Sequence, residues 1–118
     1  MGPVEFAEKC EQWGYDSFWV PDYILKPRIE ALSILAAAAQ KTSRIRLGTA
    51  VMVLPYKHPI LLAKAALSVD VLSQGRLLLG VGIGADEKEF EALGLDSRQR
   101  APLSDEGLEI LRRLFTEA

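Results

Sequence analysis

Cysteine, histidine and long apolar runs are all scarce in this chain of 118 residues, which carries one cysteine, Cys10, and one histidine, His58. A single cysteine closes no internal disulfide, and one of each is too few for a cysteine- or histidine-built metal centre, so no metal site is expected. His58 lies between Lys57 and Pro59 and reads as a loop residue. No apolar run approaches the roughly 20 residues of a membrane span, and the opening MGPVEFAEKCEQWG has neither part of a signal peptide. A cytoplasmic protein with no membrane partner is therefore expected. An excess of basic charge is absent too: 14 Lys and Arg stand against 16 Asp and Glu, for a formal charge of −2. Nucleic acid is not an expected partner. None of the serines sits in a G-x-S-x-G turn, so a hydrolase nucleophile elbow has no support.

What is present is a moderately apolar composition, 49% hydrophobic and 25% charged, enough for one core and too short for two. A single domain over residues 1–118 is expected. Two strings dominate it: RIRLGTAVMVLP at 44–55 and LSQGRLLLGVGIG at 72–84. Each holds a short apolar strand that breaks at its C-terminal end into glycine, threonine or proline, and each strand follows an amphipathic stretch. Repeated αβ units of this kind predict a parallel α/β sheet with its chemistry at the strand C-termini.

The periodicity predicts a first helix over 4–13, with Phe6, Cys10 and Trp13 on its inner face and Gly14 at its end. A strand at 17–20 stops at Pro21 and opens into a polar loop over 22–28. Helix 30–41 is apolar nearly all round (Leu32, Ile34, Leu35, Ala36, Ala37, Ala38, Ala39), a pattern that requires cover on both sides. A buried β-branched strand follows at 45–53. Pro59 opens a helix reaching Ser73, with Leu62, Ala66 and Val69 inward, and Arg76 to Val81 forms a third strand. A short acidic helix at 86–93 and a last helix at 104–117, with Leu108, Leu111 and Phe115 inward, complete the order αβαβαβαα. Right-handed crossovers then make the three strands parallel, with Asp22, Leu54 and Gly84 at one end.

Among candidate site residues, Asp22 stands where a parallel strand exits, either as a site carboxylate or as a turn cap. Gly80-Val81-Gly82-Ile83-Gly84-Ala85 fits the spacing of a dinucleotide fingerprint, but Asp86, Glu87 and Glu89 in the next helix turn would repel a pyrophosphate. Its small residues either let the backbone pass close to a neighbour or admit a planar ring. Arg98 and Arg100 are expected to form surface ion pairs with Asp105, Glu106 or Glu109.

From AEKCEQWGYDSFWVPD through LAAAAQKTSRIRLGTAVMVLPYKHPILLAKAALSVDVLSQGRLLLGVGIG to EKEFEALG and LSDEGLEILRRLF, the chain resembles the luciferase-like monooxygenase family. These are flavin- and F420-dependent TIM-barrel oxidoreductases, and the wording is more similar to the F420-using branch. The resemblance implies F420 or FMN as cofactor and a small-molecule substrate. It places the ring at the strand C-termini, with Asp22 as the catalytic candidate and Asp22, Thr49, Ala50, Val51, Gly82 and Gly84 as cofactor contacts. It also implies a non-proline cis peptide at Ala50-Val51. Two family proton-transfer groups are absent here: a histidine stands as Tyr23 and a glutamate as Ala85.

A (β/α)8 barrel typically takes about 250 residues. This chain is thus expected to be a partial barrel of three strands, lacking the family's first strand before Val4 and its C-terminal half, and inactive in isolation. The alternative reading is a non-catalytic half-barrel assembly module. Open strand edges and the small side chains of Ala36 to Ala39 imply a homo-oligomer in either case.

Overall fold

The computed structural model describes residues 1–117. Helix α1 (Pro3–Gln12) leads to strand β1 (Ser17–Val20), helix α2 (Ala31–Lys41), strand β2 (Arg46–Val53), helix α3 (Pro59–Leu72), strand β3 (Leu77–Gly82), helix α4 (Glu87–Ala92) and helix α5 (Arg100–Thr116). Two single 3₁₀ turns, Leu54–Tyr56 and Ser97–Gln99, precede α3 and α5. The strands form one parallel sheet in the order β1-β2-β3, as the crossover argument requires. Three parallel strands with helices are the observed fold class.

Alternation along the strands divides the sheet into two faces. Phe18, Val20, Ile45 and Leu47 are buried beneath the helices, with Leu77, Leu79 and Val81 packed against the same core. Trp19 is on the opposite face and lies over Gly48, where an added Cβ would come within 2.3 Å of the indole ring. Helix α2 is flanked by α1 and α3 and backed by β2, which accounts for its nearly uniform apolarity. Ala38 is 0% exposed inside this sandwich, so it cannot serve as an intermolecular contact.

Charged groups fix the N-terminal ends of the strands. The Arg76 guanidinium donates to the carbonyls of Ser73, Ile45, Ala39 and Thr42 and to the Thr42 hydroxyl, which ties the turn after α3 to the end of α2 and the start of β2. Opposite it, the Glu11 carboxylate accepts backbone N–H groups from Ser43, Arg44 and Ile45 at 3.0, 2.7 and 2.8 Å. Burial would raise the Glu11 pKa, but these donors outweigh it and hold the group below the usual carboxylate range.

Three expectations need correction. In α1 the buried residues are Ala7 and Cys10, whereas Phe6 and Trp13 are exposed. The small side chains let α1 sit close to its neighbours, and Phe6 packs edge-on against Phe18 from the rim, 6.1 Å between centroids. Helix α5 begins at Arg100 rather than Ser104, because Pro102 falls in the first turn, where a missing N–H costs nothing. Of Leu108, Leu111 and Phe115 only Leu111 is buried; the other two line an open groove of about 490 Å³ against β3.

Gly80 lets β3 pass close to β2. A Cβ on Gly80 would stand 2.1 Å from the Thr49 carbonyl oxygen, and the Thr49 hydroxyl donates to the Gly80 carbonyl at 2.8 Å. Gly80→Ala is expected to destabilise the fold by at least about 2 kcal/mol in urea unfolding, because a backbone atom, unlike a side chain, cannot swing aside. Glu11→Gln is expected to cost about 1 kcal/mol at neutral pH, a figure reduced for the solvent that still reaches the carboxylate. The native pKa of Glu11 is lowered, so its contribution is complete above the unfolded value near 4.3 and fades as pH falls through the native value. Unfolding midpoints of the two proteins should therefore converge in acid, and a gap that stays constant down to pH 2 would contradict this assignment.

Candidate functional site

All three strands open at their C-terminal ends into one cleft of about 410 Å³. The loop after β1 supplies Pro21, Asp22 and Tyr23, β2 and its exit supply Ala50, Val51, Val53 and Tyr56, and the segment after β3 supplies Ile83, Gly84, Ala85, Asp86 and Glu89.

The floor comes from an irregularity in β2. Thr49 pairs with Leu79 but Met52 pairs with Val81, so β2 spends one extra residue over this interval and bulges at Ala50 and Val51. The Ala50-Val51 peptide is cis. This bulge turns Val51 outward, 41% exposed, beside Ile83 at 51%. Gly82 makes room for it, since a Cβ there would meet a Val51 methyl at 2.5 Å. Gly84 adopts φ +86° and passes close to Val53 and Phe90. The glycines of the 80–84 run therefore serve close backbone and side-chain approach along β2.

The sequence candidates divide accordingly. Asp22, Ala50, Val51 and Gly84 line the cleft together. Thr49 is fully buried behind the floor, engaged with Gly80, and Gly82 supports Val51 without lining the cleft.

Asp22 has a side chain only 2% exposed, and its Oδ2 accepts the Val53 N–H at 3.2 Å and lies 3.4 Å from Lys57 Nζ. A buried carboxylate paired with a cation and a backbone donor is compensated in place. Lys57 also lies near Glu30, which caps α2 through the Leu32 and Ser33 N–H groups; burial opposes ionisation of Glu30, and those donors outweigh it and lower its pKa.

The three acids after β3 take different partners, and Asp86 and Glu89 both line the cleft. Asp86 caps α4 by accepting the Lys88 N–H, and Glu87 pairs with Arg100. Glu89 is buried, accepting the Ile24 and Leu25 N–H groups and the Tyr56 hydroxyl. Arg98 pairs with Asp96 instead of an acid of α5. Burial, followed by the bond to Glu89, pushes the Tyr56 phenol well above its ordinary pKa, so it keeps its proton and donates it. Its ring meets Phe90 edge-on at 5.0 Å.

Tyr56, Ile83, Lys57 and the inward role of Glu89 were not identified from the sequence. The signal available was Glu89 beside the apolar Phe90 in EKEFEALG, one position of an acidic helix that faces the protein. His58, the loop residue, caps α3, its Nδ1 accepting the Ile60 N–H at 3.2 Å. Among the described residues no helix is long and apolar enough to cross a membrane.

A parallel βα arrangement with a cleft across its strand C-termini is the local architecture of an α/β barrel's C-terminal face. The chain belongs to the luciferase-like monooxygenase family, whose model matches residues 3–118. It is 38% identical to 4-hydroxyprotoasukamycin monooxygenase of Streptomyces nodosus subsp. asukaensis, over 96% of this chain and 31% of that protein. Identity with an F420-dependent glucose-6-phosphate dehydrogenase of Amycolatopsis mediterranei is 33%, over 96% of this chain and 37% of the relative. The oxygenating constituent of 3,6-diketocamphane monooxygenase from Pseudomonas putida, solved in complex with FMN, superposes with a TM-score of 0.91 at 22% identity, over 98% of this chain and 33% of that one, and shows the shared fold. The chain thus spans about a third of the length of the proteins it matches.

Proposed function

We propose that this chain supplies the ring-facing cleft of a flavin-type oxidoreductase, using F420 or FMN and acting on a small-molecule substrate. The observation that carries the reading is the apolar floor of Ala50, Val51 and Ile83 held open at the C-termini of three parallel strands. Such a floor suits one face of a planar ring, and the F420-dependent relative and the neighbour solved with FMN support a flavin-type ring. A flavin-type ring, when bound, provides hydride chemistry. Val51 and Ile83 would seat it and exclude water from that face. Asp22, held by Lys57 and the Val53 N–H, would orient polar ring atoms, and Tyr56 keeps its proton toward Glu89. Thr49 and Gly82 act behind the floor by fixing the bulge. The residues fit the ring but not its phosphate, because among the described residues no lysine or arginine lines the cleft.

Fluorescence titration tests this reading. Riboflavin, FMN and F420 are each expected to bind the chain more weakly than about 1 µM, with little gain from the phosphate of FMN over riboflavin. Val51→Glu, on an exposed side chain, should abolish binding without unfolding the protein. Absence of any ligand response in the wild-type chain would remove the ring-site assignment.

A second reading, self-association as an assembly module, is favoured by α3. Ile60, Leu61, Leu67 and Val71 are exposed on it although its other face is buried. The outer edges of β1 and β3 carry no partner strand among the described residues. Light scattering is expected to give a mass above that of one chain, reduced by Val71→Glu, whereas a wild-type monomer at high concentration rejects this reading.

A further inference from the structure

Glu89 is 4% exposed although it sits on a helix of six residues whose other acids face solvent. Burying a carboxylate demands several donors, and here they come from two distant parts of the chain. One oxygen accepts the Ile24 N–H at 2.6 Å and the Leu25 N–H at 3.2 Å; the other accepts the Tyr56 hydroxyl at 3.0 Å. Ile24 and Leu25 belong to the loop after β1, Tyr56 to the exit of β2, and Glu89 itself to the segment after β3. One side chain therefore joins all three segments that build the cleft.

The loop is otherwise held at its start, where the buried Asp22 accepts the Val53 N–H and pairs with Lys57. Residues 21–29 form no helix or strand, and the backbone–backbone hydrogen bond within them, among the described residues, is the short local one from the Arg28 N–H to the Lys26 carbonyl. Tyr23 lies one residue before the Glu89 anchor and lines the cleft, with Lys26 Nζ 4.1 Å and Arg28 Cζ 5.5 Å from its ring centroid. We propose that Glu89 is a positioning residue of the cleft: it clamps the loop after β1 through the Ile24 and Leu25 N–H groups, so that Tyr23, flanked by Lys26 and Arg28, forms a fixed wall. The inference rests on the ring-site reading only for the identity of the ligand, because the clamp exists without one.

NMR of the unliganded chain decides the matter independently of any cofactor titration. In Glu89→Gln the Ile24 and Leu25 amides are expected to exchange at least about tenfold faster, and the Tyr23 ring resonances to move toward free-tyrosine positions, while the Leu47 and Thr49 amides stay within about twofold of wild type. Glu91→Gln, an exposed acid on the same helix, should change none of these. If either local readout fails to move, or if the strand amides accelerate to the same extent, the clamp is refuted. Should Glu89→Gln not fold, Tyr56→Phe decides: faster exchange confined to Ile24 and Leu25 upholds the clamp, and any other pattern overturns it.

Discussion

The approach of β2 and β3 at Thr49 and Gly80 is the constraint on which the rest of the structure depends. With no side chain at Gly80, the Thr49 carbonyl can lie where a Cβ would be, and the Thr49 hydroxyl secures the contact from the other strand. Immediately beyond this point β2 takes up its extra residue. The bulge at Ala50 and Val51 follows a tightly held section of ladder, and the slack is released toward the C-terminal ends.

The two ends of the sheet use charge differently. At the N-terminal end, Arg76 and Glu11 satisfy backbone carbonyls and N–H groups around the start of β2, which is structural work far from the cleft. At the C-terminal end, Asp22 and Glu89 are buried beside the cleft, each compensated by backbone donors and one further partner, Lys57 or Tyr56. The cleft is bounded by carboxylates that are already engaged and floored by aliphatic carbon. That combination favours a flat, largely apolar ligand surface over a multiply charged one.

The chain belongs to the luciferase-like monooxygenase family and matches about a third of the length of its relatives. The G-x-G-x-x-A spacing at 80–85, which in isolation suits a phosphate loop, has another cause here. Its glycines accommodate Thr49, Val51, Val53 and Phe90, all neighbours within the fold.

The sequence by itself determined the order and type of the elements, the parallel direction of the strands and the end at which the cleft lies. Hydrophobic period, Pro59 at a helix start and glycines at helix ends are local signals, and right-handed crossovers leave little freedom once three αβ units are recognised. Periodicity also carried the two-sided burial of α2. Only the tertiary structure decided which partner each charge takes. Glu89 looks like its solvent-facing neighbours Glu87 and Glu91 until residues 24, 25 and 56 are brought beside it, and Arg98 and Arg100 turn to Asp96 and Glu87 rather than to the acids of α5. Long-range hydrogen bonds depend on distances that no local pattern encodes. The same holds for the exposure of Phe6 and Trp13, because a helical period shows which residues share a face but not how deeply that face is covered.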